Sequence, residues 1–521
     1  MRYEYRTSVF VMPSLVLLCG LTLVARAEVS ISPEELTQFR ARAAAVAALD
    51  SSLRMRIEAD MAHDGAPVQS VSMEAFIADR DHLRVDVSDR SSIVVTPNRV
   101  VGYHGPSGAC LLIPQETLTV FGEARDRELA HAGFGASSIL LSALDAVAQS
   151  VDRATVIGET RVDEVECLVF EVAPEDLAAW DYVASGDGAA NATVARVEMT
   201  LERETGALRG AHTEASVSWA GGAPVAAVGD CRLPEVELGA DLSDALSVEV
   251  PDGAFIMRWL PDATAPQMAA DVGRVIGALL RGSAEVGRLM SGFTNWLGRP
   301  VNSYVRVHQT TTVDGQTRGE EISDIWLRDM DHWRMERDGN GTTITSTPSE
   351  VTIYSALQGT GLRIPQATLE ALGTQRYSAM RDIGMGTPAS VLNTLALCLP
   401  DLAITGEETV GDVECWVLDL GPAALPRVDA VTNGMPEGSR AVAAQVVVEK
   451  DAGTFRGLYL SIEGPAAIEL ELTMPQIETN VAVTDDMLAV EPPEGVTLVE
   501  WTPDMSVADA VVIAERMRGG G

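Results

Sequence analysis

Two short clusters combine carboxylates with an imidazole: Asp79, Asp81 and His82 in DRDH, and Asp329, Asp331 and His332 in DMDH. Such oxygen and nitrogen donors can hold a divalent cation. Each cluster also stands between two strand-like runs, where Asp-x-Asp is ordinary turn chemistry and neighbouring strand residues point to opposite faces. The turn is the expected use, so no metal site is assigned. The sequence contains no HExxH, no GxSxG, no phosphate or calcium loop and no GxGxxG after a strand. No catalytic residue and no cofactor is therefore expected, and the chain reads as a non-enzyme.

Cys110, Cys167, Cys231, Cys398 and Cys415 lie beyond the N-terminal apolar segment at irregular spacing. An odd set of this kind fits neither a zinc ribbon nor a disulfide scaffold. Cys398 and Cys415 make the best disulfide candidate on loop length; the alternative is a set of buried thiols. Arg274, Arg281 and Arg288 recur every seven residues along an apolar periodic stretch from Val272 to Leu297. They would contact a membrane surface or a lipid headgroup, or else belong to a lid and linker helix docked on acidic neighbours.

That basic stretch stands out because 38 Lys and Arg face 75 Asp and Glu, a net charge of −37, with Lys450 as the single lysine. A nucleic acid gripped by a broad basic surface is excluded as a partner. With 521 residues, 46% of them apolar, the chain can bury two or three cores and is neither disordered nor a multi-spanning membrane protein.

An internal repeat decides the domain count. DRDHLR from Asp79 recurs as DMDHWR from Asp329, and LLIPQETL from Leu111 as LRIPQATL from Leu362. The phrases ending at Tyr103 and Tyr354 correspond, as do those around Cys167 and Cys415, GALRG at Gly206 and GTFRG at Gly453. A closing phrase with Trp259 answers one with Trp501. Six phrases in one order, at offsets drifting only between 251 and 242, mean two copies of one domain.

Within each copy the period is mostly that of a sheet. Leu53, Met55, Ile57, Ala59 and Met61 alternate with charged residues, and Ile468, Leu470, Leu472 and Met474 alternate with Glu469, Glu471 and Thr473. Ser32-Pro33-Glu34-Glu35 opens a helix, with Ser32 as its N-cap, and a second helical pattern lies mid-domain near 139–151 and 389–397. At the N-terminus, Arg2 and Arg6, an apolar run from Val9 to Val24 and Ala25-Arg26-Ala27 form an export signal with cleavage after Ala27. The run is interrupted by Pro13 and short of a span, so no transmembrane segment is expected after cleavage.

The repeat unit resembles the LolA-like superfamily of periplasmic lipoprotein carriers and lipid-binding domains. The likeness rests on the opening strand after a helix, HLR or HWR entering a strand, the strands bearing Tyr103 and Tyr354, and the closing phrases LSDALSVEVPDGAFIMRW and VTDDMLAVEPPEGVTLVEW. It implies an α+β fold: two tandem copies of an unclosed, strongly curved antiparallel β-barrel with helices lidding the concave face. The expected division is a signal peptide over 1–27, LolA-like domains over 30–262 and 301–504, linker and lid helices over 263–300, and a C-terminal helix and tail over 505–521. It further implies a periplasmic location and lipid or lipoprotein acyl chains as partners. Large apolar residues at corresponding positions are candidates for a hydrophobic cavity: Leu53 with Tyr304, Phe76 with Trp326, Leu83 with Trp333, and Tyr103 with Tyr354. The alternative for each is a core or sheet-packing residue. The rival reading keeps the fold, fills the cavity with side chains, and makes the protein an envelope scaffold or sensor that binds another protein.

Overall fold

Leu53, Met55, Ile57 and Ala59 are buried while Arg54, Arg56 and Asp60 are exposed, so the alternation in sequence is the alternation of a sheet with one packed face. The computed structural model describes residues 31–517 except 130–134, 186–189, 220–222, 248–249, 282–290, 293, 295–300, 340, 384–387, 399–400, 429–437 and 490. The expected export segment and its cleavage site lie outside the described residues.

Strands of the first copy are β1 (Leu53–His63), β2 (Ala66–Asp79), β3 (His82–Val87), β4 (Ser92–Val95), β5 (Arg99–His104), β6 (Ala109–Pro114), β7 (Thr155–Val162), β8 (Val165–Glu171), β9 (Ala190–Glu202), β10 (Leu208–Trp219), β11 (Val225–Leu238) and β12 (Phe255–Arg258). Those of the second are β13 (Ser303–Val313), β14 (Gln316–Leu327), β15 (Trp333–Arg337), β16 (Thr342–Thr347), β17 (Glu350–Ser355), β18 (Thr360–Pro365), β19 (Leu402–Val410), β20 (Val413–Leu420), β21 (Arg440–Glu449), β22 (Phe455–Glu463), β23 (Ile468–Glu478) and β24 (Thr497–Glu500). They form two twelve-stranded sheets, ordered β12-β6-β5-β4-β3-β2-β1-β11-β10-β9-β8-β7 and β24-β18-β17-β16-β15-β14-β13-β23-β22-β21-β20-β19. The two orders are the same order. Each sheet has two unpaired ends among the described residues, so neither closes into a barrel.

The repeat extends to irregularities. A bulge between Arg56 and Glu58 on β1 has its counterpart between Arg306 and His308 on β13, and one between Val156 and Gly158 on β7 has its counterpart between Ile404 and Gly406 on β19. Bulges fix local twist and register, so their reappearance means the duplication kept the shape of the sheet as well as its sequence. The terminal pairings, β12 with β6 and β24 with β18, are parallel, and the long hairpins of both sheets are antiparallel.

By compactness the chain divides into two units, Met1–Ser107 with Phe121–Glu249 and Ala265–Gly273, and Gly108–Val120 with Val250–Thr264 and Arg274–Gly521. In the first unit helix α1 (Pro33–Ala47) carries the expected cap: Ser32 Oγ accepts from the Glu35 amide while the Glu35 carboxylate accepts from the Ser32 amide. Phe39 of α1 stacks on Phe170 of β8 with ring centroids 5.4 Å apart. The IPQ phrases are strand-to-helix junctions: Pro114 and Pro365 end strands, and helices α2 (Gln115–Phe121) and α5 (Gln366–Leu372) begin at once. Between them in chain order come α3 (Gly135–Ser150) and α4 (Ala265–Arg281). They are followed by α6 (Pro388–Cys398) and α7 (Val507–Met517). Among the described residues no helix is long and apolar enough to cross a membrane.

Candidate functional site

In the first unit, the buried residues of β1 and β11 face α1 and α3. Leu53, Met55, Ile57, Cys231, Leu233 and Val236 from the sheet, Ala207 and Leu208 at the start of β10, Val46 from α1, and Leu140, Ala143 and Leu144 from α3 enclose an apolar cavity of about 20 Å³. Burial pushes the Cys231 thiol up to about 12, so it stays a neutral, apolar part of the wall. A volume this small holds about one water molecule, whereas sites for small-molecule ligands enclose roughly 300–1,000 Å³. The helix-packed face is therefore almost filled by its own side chains.

The sequence candidates divide between two faces. Directly opposed residues in an antiparallel pair share a face. Leu53 faces Ile77, which faces Leu83, and all three are buried on the helix-packed side. Arg54 faces Phe76, which faces Arg84, on the opposite side, where the Arg54 guanidinium lies 5.6 Å from the Phe76 ring. Tyr103, opposite Ser92, shares that outer face. In the second unit Trp333 is buried opposite Leu327, while the rings of Tyr304 and Trp326 meet on the other face, tilted by 49° with centroids 5.6 Å apart. There Arg334 covers Trp326, and Tyr354 occupies the same face opposite Thr343. The eight residues thus form no single constellation. The pairing of Leu53 with Tyr304 is also one residue out of register: Leu53 corresponds to Ser303, and Tyr304 to Arg54.

The D-x-D-H clusters are turns. The Asp79 carboxylate accepts from the Asp81 amide at 2.8 Å and contacts His82 Nδ1 at 2.9 Å, and Asp329 does the same for Asp331 and His332. The remaining carboxylates are held by arginines, Asp81 by Arg125 and Asp331 by Arg258. Arg258 belongs to no motif and to no periodic pattern. It is 3% exposed inside the second unit, donating to Glu116 and Asp331 at 2.7 Å each, while its backbone amide donates to the Asn393 side chain. Burial alone would raise the Glu116 pKa, yet the positive charges of Arg258 and Arg376 carry it below the usual carboxylate range. No periodicity marks such a residue, because it is an isolated charge in an apolar phrase.

Cys398 and Cys415 are buried thiols outside any disulfide, and Cys415 Sγ turns to the carbonyl of Val413, so the bridge suggested by loop length is not formed. Arg274 is committed within the second unit, to Asp401 at 2.7 Å and to the Leu397 carbonyl. The side chain of Arg281, and Arg288 altogether, lie outside the described residues.

The second unit also carries an open groove of about 470 Å³ on its sheet, running over β20 to β23 and edged by β13. Its side-chain lining is mixed, with Asp419, Glu469 and Glu471 beside Tyr459, Leu425 and Val442. Neither periodicity nor any motif pointed to it.

No protein-family model matches the sequence, and no curated protein matches it. Structures similar to this chain include a LolA superfamily protein. That protein, from Nitrosomonas europaea, is 9% identical, with the match covering 41% of this chain and 97% of its own at a TM-score of 0.20. LprF from Mycobacterium bovis is 10% identical over 41% of this chain and 97% of its own, at a TM-score of 0.23. An uncharacterized conserved protein from Thermus thermophilus is 10% identical over 43% of this chain and 99% of its own, also at 0.23.

Proposed function

We propose that the chain is an exported, non-enzymatic carrier in which two LolA-like domains in tandem handle lipid or lipoprotein acyl chains in the periplasm. The acyl site of the first unit is the space under α1 and α3, with Leu53 and Leu83 on its sheet wall. The observation that carries this reading is the lining itself: all twelve residues around the cavity are apolar, and they come from two helices and a sheet. In this reading α1 and α3 are a lid in its closed position. An acyl chain entering between lid and sheet gains about 0.8 kcal/mol per buried methylene, against the cost of parting Phe39 from Phe170. Contacts of this kind select for apolar length and tolerate variation in the headgroup.

One observation favours the second reading, a scaffold or sensor that binds another envelope protein: the cavity of about 20 Å³ leaves no room for a guest until the lid moves. The two are separated by lipid extraction and native mass spectrometry of the mature protein, followed by displacement of a fluorescent fatty acid. Co-purifying lipid and saturable displacement are expected of the carrier. A lipid-free protein that binds no fatty acid would leave the scaffold.

A further inference from the structure

Strand β12 is the last of its sheet, and its two sides are used differently. Phe255 and Trp259 donate their amides to the carbonyls of Gly108 and Leu112, along β6. The alternate amides, on Ile256 and Arg258, point away from β6 toward what would be a bare sheet edge. Both residues are buried, and both amides are taken by side chains. Ile256 donates to Thr294 Oγ1 at 2.8 Å, and Arg258 donates to Asn393 Oδ1 at 2.8 Å. All of these residues belong to the second unit.

Thr294 and Asn393 stand where the first unit has α1 and α3. There α1 packs so closely on the β9–β10 turn that a side-chain carbon on Gly206 would come within 2.6 Å of the Ala43 amide nitrogen. Gly453 is the repeat counterpart of Gly206, in the β21–β22 turn. Gly292, helical like Ser291 and Thr294, approaches that turn so closely that a side-chain carbon on it would overlap the Ala452 carbonyl oxygen. Gly292 thus takes the place of Ala43, and Thr294 that of Ala45. In α6, Leu392, Leu395 and Ala396 repeat the burial of Leu140, Ala143 and Leu144 in α3, which puts Asn393 at the position of Leu141. Neither Ala45 nor Leu141 has a side-chain oxygen to offer. Arg274 adds a third hold in the second unit, on the Leu397 carbonyl in the last turn of α6.

We propose that the second unit is a locked copy: Thr294 and Asn393 pin its helices to β12, so that it stays shut where the first unit opens. Moving α6 or Thr294 away from β12 strands two buried backbone amides without acceptors, and a buried donor left unmet is costly. Parting α1 and α3 from their sheet carries no such penalty at Ala45 and Leu141. Asp145 of α3 pairs with Arg80, but both side chains are partly exposed, and water replaces a contact of that kind readily. The consequence for ligand is one acyl chain per protein, held in the first unit. That consequence rests on the carrier reading; the pins themselves do not.

Hydrogen–deuterium exchange of the ligand-free mature protein tests the pins. In the unaltered protein α6 is expected to exchange about tenfold more slowly than α3. Thr294→Val keeps the shape of the side chain and removes the acceptor, and is expected to speed exchange in α6 and β12 about tenfold. Thr294→Ser keeps the hydroxyl and is expected to leave exchange unchanged. Native mass spectrometry with a medium-chain fatty acid then counts the sites: one in the unaltered protein, and two when Thr294→Val is combined with Asn393→Leu. Exchange of α6 as fast as that of α3 in the unaltered protein would overturn the proposal, as would equal exchange in the Val and Ser variants or two fatty acids on the unaltered chain. A protein that shows the expected exchange yet binds no fatty acid would support the pins and overturn the carrier reading instead.

Discussion

The two copies share strand order, parallel edge pair and bulge positions, yet their equivalent outer faces have opposite characters. In the first unit Arg196 pairs with Glu171, Glu198 and Glu214; in the second, Ala443, Gln445 and Ser461 stand at the positions of Arg196, Glu198 and Glu214, beside a groove of about 470 Å³. Backbone register is held by dozens of ladder hydrogen bonds and cannot drift without turning side chains to the wrong face. A side chain on the solvated face is under no such constraint. The comparison teaches that duplication preserves the frame while the residues of the solvated face are free to change together.

The largest effects test what the copies hold in common. Arg209 and Glu202 form a buried pair in the first unit, with Nη2 2.6 Å from the carboxylate, and Arg456 with Glu449 repeats it at 2.9 Å in the second. Removing one partner strands a buried charge, so Arg209→Ala and Arg456→Ala should each cost about 3–5 kcal/mol in denaturant unfolding. A clearly smaller loss in one would mean that the copies differ in more than their surfaces. Phe39→Ala should cost roughly 3–5 kcal/mol through the lost stack on Phe170, and should loosen α1 selectively in hydrogen exchange. A uniform loss of protection across the unit would contradict a separable lid.

Smaller effects sharpen the difference. Arg196→Ala should cost about 1 kcal/mol, because the cluster is partly solvated. At the low end of the scale is acid. Arg306 and then the Tyr304 hydroxyl hold the Asp324 carboxyl below its ordinary 3.8, with burial opposing them. A depressed carboxylate contributes stability above its unfolded pKa, and that contribution is lost as pH falls through the lower folded value. Asp324→Asn should therefore reduce the pH dependence of unfolding below about pH 4, the unfolded carboxylate range.

The fold was the more legible part. The six repeated phrases announced one architecture twice, alternation in β1 named the packed residues, and Ser32 with Glu35 marked the start of α1 through local chemistry that needs no tertiary context. Sites were harder to read for reasons that are also physical. Alternation sorts residues into two sets without saying which set is covered, so Phe76 and Tyr103 were grouped with Leu53 and Leu83 although they face the other way. A one-residue change in offset turned Leu53 into an apparent partner of Tyr304. The Arg258 cluster and the groove depend on residues far apart in sequence.

The carrier account stands on whether α1 and α3 part from the sheet to admit an apolar chain. Hydrogen–deuterium exchange of the mature protein, with and without a saturating medium-chain fatty acid, measures this directly. The account expects ligand-dependent exchange confined to α1, α3, β1 and β11, saturating with the fatty acid. Exchange in those four elements that is unchanged by the fatty acid would contradict it.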